Sequence, residues 1–111
     1  MSQLLWCIVN LILKRKVIYM IRKHIVVHGR VQGVGFRYIT SSIAVRCHVT
    51  GWVRNEYDGT VTIEVQGAEH RVALFTEQVS EGNRFARVDH LDITEIPLVN
   101  ASKETGFQIV H

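Results

Sequence analysis

The chain has 111 residues, 47% of them hydrophobic, with one proline and two cysteines. That is enough for a single domain with a modest core, and too little cysteine for a disulfide framework. A net charge of +3 would suit a nucleic-acid partner, but Lys14, Arg15 and Lys16 lie in residues 1–19, which hold no acid, leaving residues 20–111 neutral; with no basic stripe and interleaved aromatics there, nucleic-acid binding is disfavoured.

In chain order, the run from Leu4 to Leu13 is apolar apart from Asn10 and about half as long as a membrane span. It has no basic region before it and no small-residue cleavage site after it, so it does not read as a signal peptide. Basic residues follow it, which would suit a weak membrane-surface contact through residues 4–16. A helix packed on the domain is another reading. The preferred one is an appended segment, residues 1–19, with no assigned function, ahead of a domain at 20–111.

Within that domain Ile21–His28 is β-rich. A glycine-broken segment follows, and then Phe36, Ile39 or Thr40, Ile43, Ala44 and Cys47 recur at helical spacing. Gly51–Asn55 and Thr60–Gln66 are short strands joined by Glu56-Tyr57-Asp58-Gly59, where Asp-Gly is a hairpin signal. Alternation in the second predicts a buried Val61/Ile63/Val65 face and a wet Thr62/Glu64/Gln66 face. Ala68–Glu81 carries Val72, Phe75 and Val79 on one helical stripe and stops at Gly82. Arg84–Ile96 reads as a long strand, bulged because Ala86/Val88 and Leu91/Ile93 differ in phase. Pro97–Thr105 is a loop, and Phe107–Val110 a terminal strand. The order βαββαβ plus a short last strand predicts an α+β, ferredoxin-like split βαβ sandwich: an antiparallel sheet with two helices on one face. RNA-binding versions of this fold stack bases on strand aromatics, and Thr60–Gln66 has none.

Two motifs carry chemistry. In Val27-His28-Gly29-Arg30-Val31-Gln32-Gly33-Val34-Gly35-Phe36-Arg37, three glycines separate a strand from a helix. Glycine admits positive φ, so successive N–H groups and the first orphan donors of the helix can form an anion cradle. Arg37, at the helix mouth, adds a planar fork matched to phosphate oxygens. The spacing fits neither the P-loop nor the dinucleotide fingerprint. The second motif is Gly51-Trp52-Val53-Arg54-Asn55-Glu56-Tyr57-Asp58-Gly59-Thr60-Val61, closed by Gly67. Asn55 reads either as a residue that starts the hairpin or as an amide that donates and accepts, and so orients a water. Arg54, its neighbour, faces the other side of the strand and reads as a solvated charge.

Cys47 falls on a helical stripe and reads as a buried free thiol. Cys7 and Cys47 have no paired or metal-ligand spacing. His24 and His28 share a strand face, but two ligands without a third make a weak metal signal, and no metal site is assigned.

Together the two motifs resemble the signatures of the acylphosphatase family, at Val27–Arg37 and Gly51–Gly67, and the resemblance covers residues 20–111. It implies that Arg37 binds phosphate, that the backbone of Val31, Gln32, Gly33, Val34, Gly35 and Phe36 forms the cradle, and that Asn55 positions the nucleophilic water. It also implies hydrolysis of acyl phosphates to carboxylate and inorganic phosphate without metal or cofactor, the substrate's phosphate taking the water's proton. Neither motif has a His–carboxylate pair to serve as acid and base. A phosphate- or carbamoyl-phosphate-binding module of low turnover is the alternative, since similar domains are fused to carbamoyl-transfer enzymes, although no such fusion fits in 111 residues. A cytoplasmic monomer acting on a small molecule is expected. The chain departs from the family pattern at Cys47-His48-Val49, where a glycine is usual. His48 must then take the left-handed position, at about 1 kcal/mol.

Overall fold

The computed structural model describes residues 3–8 and 19–111. Residues 3–8 are helical, with Leu4, Leu5, Trp6 and Ile8 exposed. The rest of the apolar–basic segment lies outside the described residues, and with it the readings of a membrane contact or a packed helix. No helix among the described residues is long and apolar enough to cross a membrane.

The elements are β1 (Met20–Arg30), α1 (Phe36–Cys47), β2 (Thr50–Asn55), β3 (Val61–Ala68), α2 (Glu69–Ser80), β4 (Arg87–Ile96) and β5 (Phe107–Val110). They form one five-stranded sheet in the order β4-β1-β3-β2-β5. Both helices cover one face, α1 over β2 and β5 and α2 over β1, β3 and β4. This is the expected ferredoxin-like sandwich, with one correction: the sheet is mixed. The pairs β1/β3, β1/β4 and β2/β3 are antiparallel, but β5 runs parallel to β2, Val53 opposite Ile109. The connection from β4 crosses from one sheet edge to the other through residues 97–106, which fixes that direction.

The core lies between sheet and helices. Ile25, Val27, Val53, Val61, Ile63, Val65 and Phe75 are fully buried, all from the apolar phases of their elements. In α1 the alternative at 39/40 resolves to Thr40, which is fully buried, while Ile39 packs at the margin. His48 takes the left-handed conformation at φ 56°, ψ 47°. His48 N–H donates to the Val45 carbonyl and Val49 N–H to the Ala44 carbonyl, the double closure of a Schellman helix end. Cys47 is buried and free, and burial pushes its thiol up.

Two local expectations shift. The strand expected from Arg84 begins at Arg87, because the Asn83 side-chain carbonyl accepts from Phe85 and Ala86 N–H at 2.8 and 3.1 Å and holds those residues in a turn. The bulge is present: His28 pairs with His90 but Gly29 with Val88, leaving Asp89 as the extra residue. The uncovered face of β3 is also drier than alternation suggests, since Thr62 and Gln66 are buried. Residues 97–106 fold across it. Gln66 and Val99 exchange hydrogen bonds of 3.0 and 2.9 Å, and the buried Arg22 guanidinium grips Glu104 through two bonds of 2.8 and 3.0 Å and reaches Glu64 at 3.1 Å.

Candidate active site

The loop between β1 and α1 and the end of β2 meet at one end of the sheet. β1 delivers Val31, 2% exposed, and α1 begins at Phe36, 3% exposed, so buried anchors hold the loop at both ends. Between them Gly33 and Gly35 sit at φ 74° and 76°, a conformation costly for any residue with a Cβ. Gly35 is the N-cap of α1, with no side-chain cap and no acid in the first turn. The first N–H groups of α1 therefore lack an internal side-chain partner at the end where the helix dipole is positive.

The loop is tied to the hairpin through Gln32. Its amide donates to the carbonyls of Glu56 and Thr60, both at 2.8 Å. The hairpin is closed by Glu56 N–H to the Thr60 carbonyl at 2.9 Å, and Asp58 caps Thr60 N–H and hydroxyl at 3.0 and 2.6 Å. These bonds hold Asp58's carboxyl below its ordinary range. One amide thus fixes the glycine loop against the strand end that carries Asn55.

A cavity of about 310 Å³ opens there, lined by Val31, Gly33, Gly35, Phe36, Arg37, Tyr38, Asn55, Ile109 and His111. Arg37 and Asn55 are brought together with most of the glycine loop. Gln32 and Val34 are not in the lining: the side chain of Gln32 serves the hairpin and Val34 packs on the core. Asn55 lies in the phase of Val53, toward the helices, and its Oδ1 is buried without a hydrogen-bond partner. A buried carbonyl left unpaired is expensive, and a pocket occupant with a donor would relieve it. Arg37 Nη1 donates to the Val110 carbonyl at 3.3 Å and lies 3.3 Å from His111 Nδ1.

Arg54 is on the opposite face, as strand alternation requires. It is engaged rather than simply solvated: its Nε donates to Glu56 at 2.9 Å and its guanidinium lies 4.9 Å from the Trp52 ring centre. Sequence reasoning missed Tyr38, Ile109 and His111. The last two come from β5 and the residue beyond it, and only the parallel pairing of β5 on β2 brings them here.

Fold and pocket together define a ferredoxin-like protein whose cleft gathers an arginine, a buried amide and the glycine-broken start of a helix. The chain belongs to the acylphosphatase family, whose model matches residues 23–109. An acylphosphatase of Clostridium beijerinckii is 44% identical over 85 residues, covering 77% of this chain and 94% of that protein. The crystal structure of acylphosphatase from Bacillus subtilis superposes with a TM-score of 0.77 at 37% identity, covering 82% of this chain and 99% of that one. Full-length HypF in its phosphate- and nucleotide-bound form matches with a TM-score of 0.76 at 29% identity, over 86% of this chain and 12% of that one. Acylphosphatases hydrolyse acyl phosphates, and this chain is an enzyme of that kind.

Proposed function

We propose that hydrolysis proceeds by in-line attack of water at phosphorus, with Arg37 and the N–H groups of residues 31–36 holding the phosphoryl oxygens and Asn55 orienting the water. The observation that carries this reading is the unpaired, buried Oδ1 of Asn55 in the same pocket as Arg37 and the glycine loop. A water there can donate to that oxygen and keep a lone pair for phosphorus. Its oxygen bonds to phosphorus while the bond from phosphorus to the acyl oxygen breaks. The carboxylate leaves with the electron pair, and the water's proton passes to a phosphoryl oxygen. An acyl phosphate already has a good leaving group, so positioning and charge stabilisation are the work required of the protein.

The guanidinium and the helix N-terminus supply positive potential where a metal ion would otherwise be needed. Phosphate release from acetyl or benzoyl phosphate tests this directly: it continues at an unchanged rate after exhaustive chelation. Loss of activity with EDTA and its recovery with Mg²⁺ would overturn the metal-free reading. The likeness to part of full-length HypF favours a second reading, a phosphate- or carbamoyl-phosphate-binding module of low turnover. Saturable phosphate binding with negligible phosphate release would select it. A cytoplasmic monomer is the setting this reading assigns, checked by fractionation and by sedimentation.

A further inference from the structure

On the sheet face away from the helices, β1 and β4 bring together three side chains that the hydrolytic site does not use. His28 and His90 are directly opposed across the two strands. Their rings stack with centres 4.0 Å apart and planes inclined by 8°. Asp92 lies two residues beyond His90 on β4, and so on the same face. Its Oδ2 is 2.8 Å from His28 Nε2 and 3.8 Å from His90 Nε2. One donor atom from each of the three residues falls within 4.8 Å of the others.

We propose that His28, His90 and Asp92 form a binding site for a first-row divalent transition-metal ion, separate from the phosphate pocket. Two features of the geometry point to an ion rather than to an ordinary surface pair. Both Nε2 atoms approach a single carboxylate oxygen, yet only that of His28 is within hydrogen-bonding distance, so His90, held against His28 by the ring stack, keeps its Nε2 available for a further partner. In addition, tetrahedral ligands at about 2.0–2.1 Å from Zn²⁺ lie about 3.3 Å from one another. The observed 2.8 and 3.8 Å bracket that separation, and the stacked rings, whose planes are nearly parallel, must turn out of the stack to aim both in-plane lone pairs at one ion. Two imidazoles and one carboxylate suit Zn²⁺, Ni²⁺ or Cu²⁺ better than the all-oxygen ions Mg²⁺ and Ca²⁺. The residues are 33%, 59% and 63% exposed, which leaves the remaining coordination positions to water. An ion there clamps β1 to β4 at the bulge, just before the chain enters the glycine loop, and so stabilises the strand that feeds the active site without touching phosphate.

His24 provides an internal control. It lies on the same face, but its Nδ1 pairs with Glu64 at 3.0 Å. Titrating the metal-stripped full chain with Zn²⁺ in a calorimeter should give one saturable site of micromolar strength. His28→Gln and His90→Gln should each weaken it by at least about tenfold, whereas His24→Gln stays within about twofold. Saturating Zn²⁺ should raise the thermal midpoint of the wild type and of His24→Gln but not of the His28→Gln/His90→Gln pair, and bound Co²⁺ should show visible d–d absorption lost in the same variants. Both imidazoles are at the surface, so the variants are expected to fold, and their far-ultraviolet spectra verify it. Absence of saturable binding up to about 1 mM, or binding that the His28 and His90 changes leave intact, would overturn the proposal. Because the readouts are binding and stability, neither outcome depends on the hydrolytic mechanism.

Discussion

At Asn55 the water-orienting role and the hairpin role make opposite predictions. Asn55→Ala is expected to lower turnover by at least ~10²-fold, the scale on which one preorganised hydrogen-bonding group acts. Phosphate affinity hardly moves, because Arg37 and the loop remain. If Asn55 served only the turn, activity would instead track the folded fraction, so turnover, phosphate inhibition and thermal stability are measured on the same preparations. Arg37→Ala should abolish both turnover and phosphate inhibition, and Arg37→Lys should rescue poorly, since a point charge does not reproduce the fork. Near-normal activity in Arg37→Ala would reject the assignment. Arg37, Asn55 and the glycines were legible because their types are unusual for their places: an amide in a strand and three glycines in eleven residues. Gln32 was not legible as a strut. Its partners are the Glu56 and Thr60 carbonyls, more than twenty residues away, and no local pattern announces such a bond.

At the scale of elements, periodicity and turn signals located every strand and helix of residues 20–111, and departures arose where a side chain captured backbone groups. The Asn83 turn shortens β4 in this way. At the end of α1 the residue type conflicts with the geometry, because His48 sits at φ 56° with its side chain exposed. His48→Gly should therefore stabilise the protein by about 1 kcal/mol, read as a higher urea midpoint at unchanged slope, with catalytic constants unaffected. A loss of stability there would mean that the imidazole makes contacts worth more than the strain. The connection through residues 97–106 shows the opposite case, a loop that sequence describes only as a loop. Its anchor is the buried Arg22 with Glu104. Glu104→Gln leaves that guanidinium with Glu64 as its remaining ionic partner, and should destabilise the protein by about 3 kcal/mol in urea unfolding, as one-sided removal of a buried pair does. An effect below about 1 kcal/mol would show that Glu64 and Gln66 satisfy Arg22 without it.

For the whole molecule, the boundary between the N-terminal segment and the domain is itself testable. The Tyr19 carbonyl accepts from Glu69 N–H at 2.9 Å, at the start of α2, so Tyr19 already serves the domain although the apolar and basic pattern ends before it. Removing residues 1–18 should leave the catalytic constants within about twofold, because no group of the pocket is lost. Removing residue 19 as well should cost about 1 kcal/mol, one backbone hydrogen bond. A collapse of activity or solubility on the shorter deletion would show that the segment packs on the domain. By itself the sequence determined the α+β class, the two-helix face and the core phases, because each depends on local spacing and residue type, and it singled out Arg37 and Asn55, which line one pocket, through motifs that resemble the family's. Tertiary structure alone decided that β5 runs parallel beside β2 and carries Ile109 and His111 into the pocket, that Gln32 braces the hairpin, and that His28 meets His90 and Asp92. Each of those joins residues at least twenty positions apart, and such contacts are set by how the layers close rather than by any local period.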